Sequence, residues 1–280
     1  MNHRSLAVAG IVASAFTAGC ISSTDAGDPR PFSFIDVREL HGADGTSLTP
    51  VATAIFIQDR VSGVIPSYAL SEGCELPGPL STDSGAISTP SNANLDPGAV
   101  SMVLKGTADT TTRTSALTPN DVVNGLVQYS NDSRPVLSAG TDSVRFNIAG
   151  AAGGFPAFSV GTASVPSFVA QPVDDSIVGQ GIRVQWTGLA ATSPTRMQIS
   201  LQYSDGTVAD PNMEMRCIAY DDGDFTIPRQ YLVDWQTAGV DSAGTAHQVV
   251  MSRFNTIGAN IADGIAVVVT RIDTTIVKQP

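Results

Sequence analysis

The residues best suited to chemistry in this sequence are aspartates grouped in one short segment. Asp221, Asp222 and Asp224 belong to Asp221-Asp222-Gly223-Asp224, the densest acidic cluster of the chain. Carboxylate oxygens are the ligands that calcium prefers, so these three residues are a candidate metal site. Their spacing nevertheless differs from the twelve-residue calcium loop, and Asp-Gly is common turn chemistry. We expect mainly a turn that connects a strand beginning at Glu214 with Phe225-Thr226-Ile227.

Other catalytic patterns are missing from the sequence. After residue 19 the histidines are His41 and His247, and neither belongs to an HExxH string, nor does the chain contain a GxSxG string. We expect both histidines to be surface or hydrogen-bonded structural residues, and we predict no catalytic residue and no cofactor. Trp235 is the candidate exposed aromatic for binding. Trp186 is predicted to be buried, because Ile182 and Val184 precede it at alternating positions.

The amino terminus has the pattern of an export signal. Leu6 to Phe16 is an apolar segment too short to span a bilayer, and residues 1–19 are predicted to be a signal peptide. The following Thr17-Ala18-Gly19-Cys20 resembles the lipobox of bacterial lipoproteins, although Thr17 departs from its usual aliphatic residue. The resemblance implies lipidation at Cys20, and residues 20–30 read as a polar tether. Residue 21 is not Asp, which by the sorting rule of these lipoproteins favours the outer membrane; cleavage after Ala15 would instead give a periplasmic or secreted protein.

The remaining cysteines are an even pair. Once Cys20 is used for the anchor, Cys74 and Cys217 are left in an oxidising compartment, and we predict a disulfide between them. In the chain-entropy view, closing so long a loop stabilises a fold by about 4 to 5 kcal/mol. The alternative is two buried free thiols, because sequence cannot place the two Cα atoms within bonding distance.

Composition limits both the fold and the partners. The chain has 280 residues and a formal net charge of -11, so a nucleic-acid partner is not expected. Gly 26 and Pro 17 would interrupt long helices repeatedly. Of the 26 acidic residues, all but four are Asp, which favours turns over helices.

Short apolar segments bounded by turn residues predict an all-β, mainly antiparallel β-sandwich protein. Two short helices are predicted, one beginning at Thr118-Pro119-Asn120-Asp121 and one over Pro228 to Trp235. A break near residue 171 divides two sandwich-like halves, 31–170 and 171–280, and the second has the size of an immunoglobulin-like or fibronectin-like domain. The predicted strands are Thr53 to Gln58, Val64 to Leu70, Ala86 to Thr89, Val100 to Lys105, Leu126 to Tyr129, Ser143 to Ile148, Phe158 to Val165, Gly181 to Thr187, Met197 to Tyr203, Glu214 to Tyr220, Gln248 to Asn255 and Gly264 to Ile272.

Four segments carry a family resemblance. Gly153 to Phe158, Val165-Pro166, Val184 to Gly188 and Cys217 to Pro228 resemble features of secreted lipoproteins from large-genome soil bacteria. That family has no assigned activity. The resemblance implies an exported β-sandwich and nothing about catalysis.

These observations favour a lipid-anchored cell-envelope or surface protein with a non-catalytic binding or scaffolding role. Its expected partners are the membrane, through the lipid anchor, and an envelope protein or glycan. Two alternatives remain open at this stage: a secreted hydrolase that uses aspartates as acid and base, and a calcium-stabilised carbohydrate-binding module.

Overall fold

The structure is a computed structural model that describes thirteen segments of the chain. They are residues 30–41, 47–59, 72–75, 78–79, 94–106, 112–121, 127–131, 143–171, 181–189, 193–204, 212–232, 247–262 and 264–277. Several predicted features lie outside these segments. They are the signal peptide, Cys20, nearly all of the tether, Trp235 and the strands Val64 to Leu70 and Ala86 to Thr89. Within them, no helix is long and apolar enough to cross a membrane.

The described segments are almost entirely β-strands, which confirms the predicted all-β class. Part of the second predicted helix is a 3-10 turn, Arg229–Tyr231. The strands are β1 (Arg30–His41), β2 (Ser47–Asp59), β3 (Gly73–Cys74), β4 (Gly78–Pro79), β5 (Val100–Lys105), β6 (Arg113–Asp121), β7 (Val127–Ser130), β8 (Ser143–Ile148), β9 (Phe158–Ala163), β10 (Ile182–Gln185), β11 (Arg196–Tyr203), β12 (Met213–Tyr220), β13 (Asp224–Ile227), β14 (His247–Ile261) and β15 (Gly264–Val277).

Most of these strands join one large sheet. Its order is β3-β12-β11-β14-β15-β1-β2-β7-β6-β5-β8-β9, and β4 also pairs with β12. A separate two-stranded sheet consists of β10 and β13. The pairing is antiparallel except between β1 and β15, which run parallel.

Two hydrophobic cores lie on this framework. The first core takes buried residues from β1, β2, β5, β8 and β9, and includes Phe56, Phe146 and Phe155. The second core takes them from β10 to β12 and the segments near Phe168 and Leu232, and includes Trp186. Met197, Ile199, Leu201 and Tyr203 alternate along β11, and all four are buried in the second core.

The long hairpin of β14 and β15 serves both cores. Val249 and Met251 of β14 lie in the second core, whereas Ile261 of the same strand lies in the first. On β15, Val268 belongs to the first core and Ile272 to the second. Strands from the predicted C-terminal half therefore complete the core of the predicted N-terminal half.

The structure corrects one local prediction and contains one strand that was not predicted. Thr118 to Asp121 was expected to begin a helix, but these residues end strand β6 and pair with β7. Helix-start signals at Thr118 and Pro119 are local preferences, and strand pairing outweighs them here. Strand β1 was not predicted at all, because Asp36, Arg38 and Glu39 interrupt its apolar pattern.

Candidate binding surface at the Asp221 turn

Asp221 is a buried carboxylate in the turn after β12. It is 3% exposed, and both of its oxygens face protein donors. Trp186 Nε1 donates to Oδ1 over 2.9 Å, and Thr195 Oγ1 donates to Oδ2 over 2.6 Å. Arg253 forms an ion pair with the same carboxylate. Its Nε lies 2.7 Å from Oδ2, and its NH2 group lies 2.8 Å from Oδ1. A buried charge is tolerated when it is paired and hydrogen-bonded in this way.

Arg253 is also buried and makes several contacts of its own. It lies on the same face of β14 as Met251, directed towards the second core, and is 1% exposed. Its guanidinium donates to the backbone carbonyls of Pro166, Ser167 and Thr187. It also lies 5.1 Å from the ring centroid of Phe168, within the range of a cation–π contact. One arginine thereby ties β14 to two loops and to the Asp221 turn.

Backbone contacts fix the same loops to each other. Leu189 N donates to Asp221 O over 2.7 Å, and Trp186 N donates to Gly223 O over 3.0 Å. Gly188 lies so close to the turn that an added Cβ would approach the Asp222 carbonyl carbon to 2.4 Å. Only glycine permits this approach without a shift of the backbone.

The outer surface of this end carries apolar side chains. Among the described residues, Tyr220 at 45% and Val169 at 43% are the large hydrophobic side chains classed as exposed. The Arg196 guanidinium lies 4.7 Å from the centre of the Tyr220 ring, and the two residues are paired across β11 and β12. Val169 is held next to Thr187 by two hydrogen bonds, from Thr187 N to Val169 O and from Val169 N to Thr187 Oγ1. We call Tyr220, Arg196, Val169 and Asp222 the loop-end surface.

The three aspartates of the sequence-based metal site have different surroundings. Asp221 is engaged as described, whereas Asp222 and Asp224 are exposed. Arg183 Nε donates to Asp224 Oδ2 over 3.1 Å. The described residues contain no group of three His, Cys, Asp or Glu side chains that could hold a metal ion. The expected turn is present, and it leads to β13, which pairs with β10 rather than returning along β12.

The other residues predicted from the sequence are Cys74, Cys217, Trp186, His41, Cys20 and Trp235. Cys74 and Cys217 form the predicted disulfide between β3 and β12, with their Cα atoms 4.0 Å apart. Trp186 is buried in the second core, as predicted. His41 is a buried structural residue whose Nε2 lies 2.7 Å from Glu39 Oε1. Cys20 and Trp235 lie outside the described residues.

Sequence reasoning missed Arg253, although a signal for it existed. The inward-facing positions of β14 read Val249, Met251, Arg253, and a charged residue in that series must have a buried partner. The pattern could not say which of the many aspartates that partner is. Thr195 and Tyr220 carried no comparable signal.

The comparisons with known proteins identify no family. No family model matches the chain, and no curated protein matches it. The chain is similar to a solved DUF4785 family protein from Legionella pneumophila, with 9% identity, a TM-score of 0.24 and coverage of 78% of this chain and 51% of that one. It thus spans about half the length of that bacterial protein. It is also similar to the yeast delta-COP-I mu-homology domain complexed with a WxWxV peptide, with 11% identity, a TM-score of 0.25 and coverage of 89% and 97%. At these TM-scores neither similarity supports a shared function.

Proposed function

We propose that this protein is a lipid-anchored cell-envelope protein that binds an envelope protein or glycan, without catalysis, through the loop-end surface. The observation that carries the proposal is that Val169, on a firmly bonded loop, and Tyr220, at the end of β12, are both exposed. Large apolar side chains on a fixed surface gain binding energy without the cost of ordering a flexible segment.

The composition of the loop-end surface supports a recognition role. Tyrosine and arginine are enriched among the residues that dominate binding energies. Tyr220 is already oriented by the Arg196 guanidinium, which lies over its ring. The buried network beneath acts as a support, because the oxygens of Asp221 are engaged by Trp186, Thr195 and Arg253.

The envelope location rests on the sequence and on the disulfide. Disulfides persist in exported proteins and are rare in the bacterial cytosol, so the Cys74–Cys217 bridge is consistent with the apolar segment and lipobox-like residues at the amino terminus. A multiply acylated cysteine at position 20 would give stable anchoring, since a single acyl chain binds membranes only marginally.

The anchor is tested by labelling. Cells that express the chain are grown with a labelled fatty acid, and the purified protein is assayed for label and for partition into detergent. We expect label in the native chain and none in Cys20→Ala, which is released from the membrane. A native chain without label contradicts the anchor and favours cleavage after Ala15.

The binding surface is tested by crosslinking in intact cells. A photo-crosslinking phenylalanine analogue replaces Tyr220 in one variant and the exposed Arg145 of β8 in a control. We expect one discrete crosslinked species from position 220 that is absent from position 145. Adding Val169→Ser to the Tyr220 probe should weaken that species severalfold. Equal crosslinking from both positions, or none from position 220, contradicts the proposed surface.

A further inference from the structure

Strand β12 carries a row of sulfur-containing side chains on one face. Its sequence begins Met213-Glu214-Met215-Arg216-Cys217, and side chains two positions apart in a strand point to the same side. Met215 and Cys217 are buried in the second core, and the partly buried Met213 packs against that core. Cys74 of β3 pairs directly with Cys217, so its sulfur joins the same row from the neighbouring strand. We call Met213, Met215, Cys217 and Cys74 the sulfur row.

The sulfur atoms at the centre of this row are close together. The Met215 Sδ lies 3.5 Å from the Cys217 Sγ, to which the Cys74 Sγ is bonded covalently. A metal ion bound to sulfur at about 2.3 Å holds neighbouring sulfur ligands roughly 3.5 to 4 Å apart. Met215 is therefore already placed as a ligand beside Cys217. When the disulfide is opened, the two cysteine sulfurs and the Met215 thioether surround one point.

We propose that the reduced Cys74 and Cys217, as thiolates, bind one Cu(I) ion together with the Met215 thioether. Thiolate and thioether sulfur are soft ligands, and a ligand set of this kind selects Cu(I). In the segments that the structure describes, no three His, Cys, Asp or Glu side chains are grouped to hold a metal ion, so the site depends on the thioether. The inference does not rest on the loop-end surface, because the sulfur row lies on the core face of β12.

The site forms after reduction of the disulfide by a dithiol. A thiolate of the reductant attacks the Cys74 Sγ, since Cys74 is only half-buried, and expels Cys217 as a thiolate. The second thiol of the reductant then releases Cys74, so one disulfide is reduced and one dithiol is oxidised. Binding of Cu(I) releases a proton from each cysteine that is still a thiol, and copper keeps its oxidation state.

The burial of the sulfur row gives the metal a direction of entry. Cys74 is partly exposed, whereas Met215 and Cys217 are almost completely buried. An ion captured at Cys74 therefore reaches Cys217 and Met215 from the surface. The apolar surroundings of a metal site limit the access of solvent and tune the redox potential of the metal, so burial in the second core favours copper that stays reduced.

The experiment measures the affinity of the dithiothreitol-reduced, desalted chain for Cu(I) without oxygen, in competition with the chelator bathocuproine disulfonate. We expect one Cu(I) per reduced chain and no tight binding by the oxidised chain, in which the cysteines are not thiolates. X-ray absorption at the copper edge should show sulfur ligands only. A reduced chain that binds no Cu(I), or a spectrum with nitrogen or oxygen ligands, overturns the proposal.

Met215→Leu isolates the contribution of the thioether. The substitution conserves volume and keeps both cysteines, so the disulfide should form as in the native chain. We expect the Cu(I) affinity of the reduced variant to fall at least tenfold. Met102→Leu is the matched control, because Met102 is also fully buried but belongs to the first core, and it should bind Cu(I) like the native chain. Equal affinities of Met215→Leu and the native chain overturn the proposal.

Thermal unfolding of the reduced chain provides a second measurement if reduction weakens the fold. A metal that binds the folded state stabilises it by mass action. Cu(I) should therefore raise the melting temperature of the reduced native chain, and restore its folding if reduction has abolished it. The rise should be smaller for Met215→Leu than for Met102→Leu. A reduced chain that stays unfolded with Cu(I), or an equal rise in the two variants, contradicts the site.

Discussion

The two cores of this protein are stabilised in different ways. The first core is an apolar cluster in which Phe155 packs against Phe56 and Phe158 with ring centroids 5.0 and 5.7 Å apart. The second core is bordered by the buried Asp221–Arg253 ion pair and is covalently linked to β3 through the Cys74–Cys217 disulfide. Apolar packing is non-directional, whereas an ion pair with defined donors specifies which loops meet and at what angle.

This difference explains where the exposed apolar side chains occur. The loops around Asp221 lie between strands, so the hydrogen bonds of the sheet do not by themselves fix the conformation of these loops. Arg253 holds them instead, by hydrogen bonds to Pro166, Ser167 and Thr187. The loop that carries Val169 therefore has a firm base, whereas Tyr220 is held at the end of β12 by its pairing with β11.

Removal of the buried carboxylate should have the largest effect. Asp221→Ala leaves the Arg253 guanidinium buried without its counter-charge, and we expect a loss of about 3 to 5 kcal/mol in the free energy of unfolding. Urea denaturation of the oxidised protein measures it. Asp222→Ala is the matched control, since the neighbouring carboxylate is exposed and its removal should change stability by less than about 0.5 kcal/mol. Equal effects of the two variants would show that Asp221 is not a structural centre.

Truncation in the first core should cost slightly less. Phe155 is fully buried, and Phe155→Ala should destabilise the protein by about 3 to 4 kcal/mol through lost burial and the cavity left behind. Because no charge is involved, this loss should be the same in low and high salt. A strong salt dependence of the Phe155→Ala effect, measured by urea denaturation, would contradict the apolar character of the first core.

Crowding at Gly188 should have an intermediate effect. Gly188→Ala places a methyl group against the backbone of Asp222 and Gly223, and we expect a loss of about 1 to 3 kcal/mol. The same substitution at Gly78, where an added Cβ meets nothing within 4 Å, is the control. If Gly188→Ala is as harmless as Gly78→Ala in thermal unfolding, the loops are not held as closely as described.

The smallest predicted effect is on the stability of the fold at alkaline pH. Burial raises the pKa of the Tyr129 phenol above its ordinary value of 10.0, and the charge of Asp96 raises it further. The unfolded chain therefore releases this proton first, so the contribution of the neutral phenol is complete below about pH 10 and is lost as pH rises through the folded pKa. We expect Tyr129→Phe to reduce the loss of stability above pH 10, and Asp96→Asn to reduce it less. Unchanged alkaline denaturation curves for both variants would contradict this assignment.

The sequence predicted the strands better than the connections between them. Ser143 to Ile148 and Val100 to Lys105 agree with the structure at both ends, because turn residues bound clear apolar runs. The parallel pairing of β1 with β15 was not predicted, since strands so far apart in the chain leave no local signal of their contact.

Prediction of the candidate site was limited in the same way, because its residues are far apart along the chain. Asp221 was one of three candidate metal ligands in a segment expected mainly to form a turn, and the structure shows its carboxylate bonded to Trp186, Thr195 and Arg253. Its partners lie 26 to 35 positions away along the chain. A count of aspartates cannot identify the one that faces a buried arginine. The disulfide was predictable because only one pair of cysteines remained after the lipobox-like Cys20.

The most direct test of the account is a double-mutant cycle on Asp221 and Arg253. Asp221→Ala, Arg253→Met and the double variant are compared with the native chain in urea denaturation. We predict a coupling of about 2 kcal/mol, so that the double variant loses clearly less stability than the two single variants together. Losses that add to within about 0.5 kcal/mol would contradict the claim that these two residues act as one unit to fix the loops.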